Sequence, residues 1–259
     1  MFLRDNSPII ANLSQEFEFV RLYFVHDLHF GSELFDEKRW ERFKNTILSQ
    51  ENSFVCWVGD LMENAIPGSK SDTFTQTMSP FDQKEKVVKE LLDFGNKTLA
   101  VVPGNHEHNR TTKTCGLYPL YDCCERAGIG DKYRNIVAFL NVGVGFSKKD
   151  KSKQVRYFGQ IQHKAKALRS YGASDFTDGI DFFAYGHDHK PSDEPRAKMV
   201  FDKHNNTITK RNVENINCGS GLVWGGYGAQ NAYRPQSDKL WELMLFGGEK
   251  KLETHGFYP

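Results

Sequence analysis

The stretch Glu18-Phe19-Val20-Arg21-Leu22-Tyr23-Phe24-Val25 runs straight into His26-Asp27-Leu28-His29. Aromatic and branched side chains fill most of the first eight positions, which predicts a strand. Carboxylate and imidazole groups follow it. The same arrangement returns three times. Ser53–Val58 is followed by Gly59-Asp60, Thr98–Val102 by Pro103-Gly104-Asn105-His106-Glu107, and Ile180–Tyr185 by Gly186-His187-Asp188-His189. Between the first three strands, Glu37–Gln50 (Trp40, Phe43, Ile47, Leu48) and Pro80–Phe94 (Val87, Val88, Leu91, Leu92) carry apolar residues at helical spacing. Ile66–Thr77 is polar, with Gly, Pro and Ser, and reads as a loop. Strand and helix in alternation predict a layered α/β core with some parallel pairing. In such folds ligands bind where the carboxyl ends of strands converge, so four tips of one sheet are expected to bring their side chains to one point.

Further along, the pattern predicts a helix over Tyr118–Ala127, strands over Ile136–Val144 and Val155–Gln162, and a helix over Lys164–Ser170. From Met199 to Leu245 short strands and turns dominate, with a turn at Asn205-Asn206 before a strand over Thr207–Val213. The charged run Ser147–Lys153 has two readings, a solvated hairpin turn or a small basic contact for a nucleic-acid backbone. No repeat, low-complexity segment or linker interrupts the chain, so residues 1–259 are expected to form a single domain.

Composition narrows the functional classes. A net charge of +1 creates no global field for nucleic acid or an anionic membrane, so any anion site must be local. No apolar run approaches the ~18 residues of a membrane span, and the first residues lack the pattern of a secretion signal. The five cysteines form no disulfide framework, and the cluster Cys115, Cys123, Cys124 lacks paired zinc-ligand spacing. The expectation is a cytoplasmic protein with no membrane partner.

The residues after the strands suit a pair of divalent cations. Asp27 and Asp60 offer charged oxygens, His29, His187 and His189 offer imidazoles, and Asn105 offers a neutral carbonyl. Mixed ligation of this kind fits Mn, Fe, Zn or Ni better than Ca. A shared carboxylate can bridge two ions about 3.5–4 Å apart, which clamp a phosphoryl group and acidify water. Taken singly, each motif has an ordinary reading: a capping Asp with a surface His, a Gly-Asp turn, a satisfied histidine pair. All four, in this order and each after a strand, point to a metal centre.

The set resembles the calcineurin-like metallophosphoesterase superfamily, whose pattern runs Asp-X-His, Gly-Asp, Gly-Asn-His-Glu, a lone His, then Gly-His-X-His. The match spans Tyr23 to Lys190. The resemblance implies a four-layer αββα sandwich of two mixed β-sheets flanked by helices, with two divalent metal ions, Mn foremost and Fe, Zn, Ni or Mg as alternatives. It places Asp27, His29 and His189 on one metal, Asp60 as the bridge, and Asn105 and His187 on the second. His106 is then no ligand but assists the leaving oxygen, with Asp60 as its catalytic partner. For the lone histidine, His106 belongs to its own motif and His108 lies too near it. His163 follows the strand Val155–Gln162 and matches, although Lys164 follows it where relatives often carry Gly or a second His.

The segments Asn217-Cys218-Gly219-Ser220, Gly225-Gly226-Tyr227 and Tyr233-Arg234-Pro235 look like the tail of phage and prophage members. The first is expected to close the second sheet near the metals. Tyr227 and Arg234 are candidates for a rim that stacks a base and holds a phosphate, and Arg110 and His108 are further substrate-binding candidates. Glu63, Asn64 and Asp188 are expected to orient neighbours rather than ligate, and His26 to pack on the opposite face. The resemblance implies hydrolysis of a phosphate ester by in-line attack of metal-activated hydroxide. A phosphodiesterase or nuclease on a nucleotide-like substrate is the leading reading. A phosphomonoesterase, protein phosphatases included, and a non-catalytic scaffold of the same fold are the competing ones.

Overall fold

The computed structural model describes residues 7–69, 71–164, 177–232 and 234–259, with the side chain of Tyr227 also outside the description. Twelve strands are described: β1 Ile9–Asn12, β2 Phe19–Val25, β3 Ser53–Val58, β4 Thr98–Val102, β5 Val137–Val144, β6 Val155–Gln162, β7 Phe182–Tyr185, β8 Ser192–Asp193, β9 Arg196–Asp202, β10 Thr207–Asn217, β11 Leu240–Phe246 and β12 Leu252–Phe257. They form two mixed sheets. One has five strands in the order β12-β11-β2-β3-β4. The other has seven, in the order β1-β5-β6-β7-β10-β8 with β9 paired to β10.

The sequence dictates which faces meet. On β2, alternate residues Val20, Leu22 and Phe24 point into a core that they share with Leu140, Val142, Tyr157, Ile161 and Phe182 of the other sheet. The intervening Tyr23 and Val25 face the opposite way, with Val55 and Trp57 of β3, toward the helices. Two helices cover that outer face: α1 Glu37–Leu48, whose first turn is capped by the Asp36 carboxylate accepting from the Arg39 N–H, and α2 Pro80–Phe94, capped by Ser79 with Pro80 in its first turn. Trp40, Phe43 and Ile47 of α1 and Val87, Leu91 and Phe94 of α2 complete this core, with Leu120, Cys123 and Cys124 of the helix Pro119–Arg126. Among the described residues, Ile180, Phe183, Tyr185 and Val213 form a third cluster. The helix expected over Lys164–Ser170 lies, beyond Lys164, outside the described residues.

Parallel pairing positions the site. β2, β3 and β4 run parallel to one another, so their carboxyl ends share one edge. β6, β7 and β10 are likewise parallel in the second sheet. The expectation of four tips from one sheet is therefore corrected. Three tips belong to the five-stranded sheet, and the tip bearing Gly186–His189 belongs to the seven-stranded one, because the antiparallel hairpin β5–β6 starts a separate sheet. The run Ser147–Lys153 is the turn of that hairpin, closed by the Ser147 N–H donating to the Lys153 carbonyl at 2.8 Å. β1 and β12 escaped the sequence reading. Both are edge strands; β1 is only four residues long and β12 is half-polar, so neither carries a strong local signal.

Trp57 ties the layers together. It is 1% exposed, its ring lies 5.0 Å from that of Phe94, and its indole N–H donates to Thr98 Oγ1 at 3.1 Å. Trp57→Ala is expected to lower stability by about 3–5 kcal/mol through the cavity it leaves, read as a fall in the urea midpoint with an unchanged slope.

Candidate metal centre

The loop after β2 is laid alongside the loop after β3. The Asp27 N–H donates to the Gly59 carbonyl at 3.0 Å, and the His29 N–H to the Asp60 carbonyl at 3.0 Å. The loop after β4 is pressed onto both. A Cβ on Gly104 would stand 2.0 Å from Asp60 Oδ1 and 2.2 Å from the Asp60 nitrogen, so only glycine permits this approach. Glu107 locks the arrangement. Its buried carboxylate accepts from the backbone N–H groups of Leu61 (2.7 Å), Met62 (3.0 Å), Asp60 (3.1 Å) and Gly104 (2.8 Å). The Glu of the Gly-Asn-His-Glu run thus fixes backbone.

Backbone strain collects here. Eight described non-glycine residues have positive φ, and Asp27, His29, Asp60, Asn64, His187 and His189 are six of them. Such conformations cost of order 1–3 kcal/mol each and persist only where the surroundings over-determine them. They turn side chains of successive residues toward one point.

The donor atoms converge in three overlapping groups: Asp27–His29–His189, His29–Asp60–His106 and Asp60–His163–His187, each with its ligand atoms within 4.8 Å of one another. Asp27 Oδ1 lies 3.4 Å from His189 Nε2, 3.8 Å from His29 Nε2 and 3.9 Å from His163 Nε2. Asp60 Oδ2 lies 3.2 Å from His163 Nε2 and 3.8 Å from His106 Nε2. Asn105 joins them with a buried Oδ1 that makes no hydrogen bond.

Outer partners leave one donor atom free on each key ligand. His163 Nδ1–H donates to the Val58 carbonyl at 2.6 Å and His29 Nδ1 sits 3.1 Å from Glu63 Oε2. In each ring Nε2 is left to face the centre. Asp27 Oδ2 accepts from the His187 N–H at 2.8 Å and faces His26 Nδ1 at 2.7 Å. His26 Nε2 accepts from the Cys218 N–H, which assigns the proton to Nδ1 and makes His26 a donor to Asp27. His26 was expected only to pack; alternation does turn it away from the centre, but onto the second oxygen of the neighbouring carboxylate. The buried atoms without a hydrogen bond include Asp27 Oδ1, His29 Nε2, Asn105 Oδ1 and His163 Nε2. Buried polar atoms are almost always satisfied, and three of these orphans, Asp27 Oδ1, His29 Nε2 and His163 Nε2, lie within one cluster of oxygen and nitrogen donors that fits divalent cations.

The electrostatics agree. Burial disfavours charge on the two aspartates, yet the facing histidines hold both carboxyls below the usual range. Burial likewise opposes charge on His29 and His163, but Asp27 and Glu63 raise the first to about 10, and Asp60 and Asp27 raise the second to about 9. A cation must displace those protons. Metal affinity is therefore expected to rise with pH from 6 to 9. Titration calorimetry in buffers of differing ionisation enthalpy should show about two protons released per chain near pH 7.

His106 belongs to the second of these groups, with His29 and Asp60. Its ring Nδ1 donates to the Glu63 carbonyl at 2.7 Å, and its Nε2 accepts from Arg110 at 2.8 Å. Burial and the charge of His29 push it down to about 4. Arg110 also donates to the Ser71 hydroxyl at 2.8 Å and pairs with Glu63 at 3.3 Å, so its guanidinium is engaged at the site's wall. Asn64 donates to the His106 carbonyl at 2.7 Å, and Asp188 accepts from Asn217 at 2.5 Å. Burial lowers the His108 pKa, and its Nδ1 makes no hydrogen bond.

A cleft of about 620 Å³ opens from His187 and His189 toward the loop that follows β10. Arg234 lines it, as do Lys164, Lys190 and Trp224. Sequence reading missed Trp224, although a tryptophan inside the glycine-rich run Gly221–Gly226 was a signal. Tyr227 lies on the short helix Gly226–Gln230, its side chain outside the description. Ser220 and Gly221, after β10, both donate to the Asp27 carbonyl at 3.0 Å, which brings the Asn217–Ser220 turn to the centre.

The described residues contain no helix long and apolar enough to cross a membrane. No curated protein matches the chain. Solved structures similar to it include a conserved uncharacterized protein, described as a predicted phosphoesterase, from Streptococcus pneumoniae (11% identity, TM-score 0.41, 94% of this chain and 99% of that one). Others are the calcineurin-like phosphoesterase YfkN from Bacillus subtilis (11%, 0.43, 92% and 90%) and Vps29 from Chaetomium thermophilum (10%, 0.38, 92% and 94%). The family model for calcineurin-like phosphoesterases matches residues 20–191, from β2 through both halves of the Gly-His-X-His run. With more than half its length under that match, the chain belongs to the calcineurin-like phosphoesterase family.

Proposed function

We propose that the protein hydrolyses phosphodiesters of a nucleotide-like kind with two divalent cations, manganese foremost. Asp27, His29 and His189 would hold one ion, Asn105, His163 and His187 the other, and Asp60 would stand between them. Bound there, the cations supply Lewis acidity to the phosphoryl oxygens and acidify water. The chain's own residues do the rest. His26 and the His187 N–H keep Asp27 Oδ2 occupied, so that Oδ1 alone faces the centre. Glu107 keeps the Asp60 loop from relaxing. His106, neutral in the free protein with its proton on Nδ1, offers Nε2 at the centre's edge; once an incoming phosphate draws Arg110 onto its own oxygens, that nitrogen would take up the proton lost by the attacking water and pass it to the leaving oxygen.

The observation that carries the diester reading is the cleft. It is continuous with His187 and His189, and so provides room for a second substituent on phosphorus, which a monoester lacks. Its volume lies within the range of small-molecule sites.

The test compares bis-p-nitrophenyl phosphate with p-nitrophenyl phosphate after metal removal and restoration of manganese. The expected result is metal-dependent turnover of the diester. Asp60→Asn should abolish it, and His106→Ala should lower kcat by about 10²-fold or more, the usual loss on removing a general acid. Turnover confined to the monoester would reject the diester reading.

A further inference from the structure

The outer half of the cleft is built from residues that neither bind metal nor shape the metal loops. We propose that it is a nucleoside subsite, in which Trp224 stacks on the base of the substrate and Lys164, Lys190 and Arg234 attract its phosphates. The inference rests on the diesterase reading and names the substrate class for that site.

Three observations carry it. The first is the aromatic surface. Trp224 is 54% exposed and lines the cleft with Val223 and Leu34. A large indole left half in solvent at the mouth of a site is a ready stacking surface, and base–aromatic stacking tolerates any base. Trp40 and Trp57, by contrast, are buried in the helix-side core.

The second is charge. Two carboxylates line the cleft, and both are engaged. Asp238 pairs with Arg39 at 3.2 Å, and Asp188 accepts from Asn217 at 2.5 Å. The three cations Lys164, Lys190 and Arg234 line the same cleft and have no carboxylate within ion-pair distance among the described residues. A chain of net charge +1 thus carries a local positive excess beside an apolar, aromatic wall, which is the combination single-stranded nucleotides require.

The third is anchoring. The Trp224 loop is not a loose tip. The Val223 N–H donates to the Leu34 carbonyl at 2.9 Å, Leu222 bridges to Phe35, and a Cβ on Gly225 would stand 3.0 Å from Leu34 Cδ2. Two residues earlier the same loop is bonded to the carbonyl of Asp27. The stacking surface is therefore fixed relative to the metal centre, and little ordering opposes binding.

The test separates this inference from the reading beneath it. Thymidine 5′-(p-nitrophenyl phosphate) and methyl p-nitrophenyl phosphate share a scissile bond and leaving group and differ only in the nucleoside. Trp224→Ala in the metal-loaded full-length chain should lower kcat/KM for the thymidine ester roughly 5- to 150-fold, the range stacking supports. It should leave the methyl ester within about twofold, and Trp224→Phe should recover most of the loss. Arg234→Ala should weaken the thymidine ester alone, less so at high salt. Equal losses on both esters, or none on either, would overturn the subsite. Binding decides the matter even if wild-type protein turns over neither ester: calorimetry should show thymidine monophosphate binding tighter than inorganic phosphate, with the increment lost in Trp224→Ala. No increment in wild type, or a Trp224-dependent increment seen only with a phosphotyrosine peptide, would overturn the proposal.

Discussion

Two ionised carboxylates, Asp27 and Asp60, stand at the meeting of two sheets with exposures of 0% and 1%. Burying one unpaired charge costs several kcal/mol or more, and two at adjacent loops repel as well. Much of the local architecture answers this problem. Histidines from four different loops face the pair, an acceptor-rich cluster that cations complete. Each aspartate also receives a backbone N–H on the oxygen it does not turn inward: His187 donates to Asp27, and His106 to Asp60. The strained φ values of both residues and of three facing histidines belong to the same account, since the sheet edges alone would aim these side chains apart.

That constraint also explains why two sheets are needed. The five-stranded sheet delivers Asp27, His29, Asp60, Asn105 and His106 from three parallel tips, and the seven-stranded sheet delivers His163, His187 and His189 from two. The sheets are joined at the centre by hydrogen bonds to main-chain carbonyls as well as by the apolar core. His163 reaches across to the carbonyl of Val58, and Ser220 and Gly221 reach the carbonyl of Asp27. A shift of one sheet against the other would break these bonds and open the donor cluster at once, so sheet packing and ligand geometry stand or fall together.

What sequence made legible follows the strength of local signals. β2, β3, β4 and β6, with α1 and α2, combine strong apolar patterns with clear stops, and their bounds agree closely with the structure. The motif residues follow strand ends, so their convergence was readable once parallel pairing was assumed. The rest depends on long-range partners. β12 is half-polar and is defined by pairing with β11. β10 runs past Val213 through Glu214, Asn215, Ile216 and Asn217, where the Asn215 side chain donates to the Glu194 carbonyl; no local pattern marks such residues as buried strand. The hydrogen bond from His26 to Asp27 depends on Cys218, 192 positions away, and the role of Glu107 is set by four backbone N–H groups, three of them in the loop after β3. Arg110, a substrate-binding candidate, spans Glu63, Ser71 and His106, contacts that no local pattern announces.

The position of Arg110 has a local cause. After Asn105–Glu107 the chain passes into a π-helical stretch, His108–Thr112. Such widened turns are rare and concentrate at functional sites. Here the turn sets Arg110 back onto the ring of His106, four residues earlier, while Thr111 receives the Asn64 amide at 2.8 Å. The wider turn lets both neighbours face the centre, one toward His106 and one toward the strained Asn64. The guanidinium donates to the nitrogen that faces Asp60, so a cation held by Glu63 and Ser71 stands beside the buried carboxylates. The glycine-bound approach of the β4 loop, the Glu107 clamp and the π-turn are thus successive parts of one segment, Gly104–Thr112, which presents an imidazole and a guanidinium to the centre from a backbone that has little freedom to move.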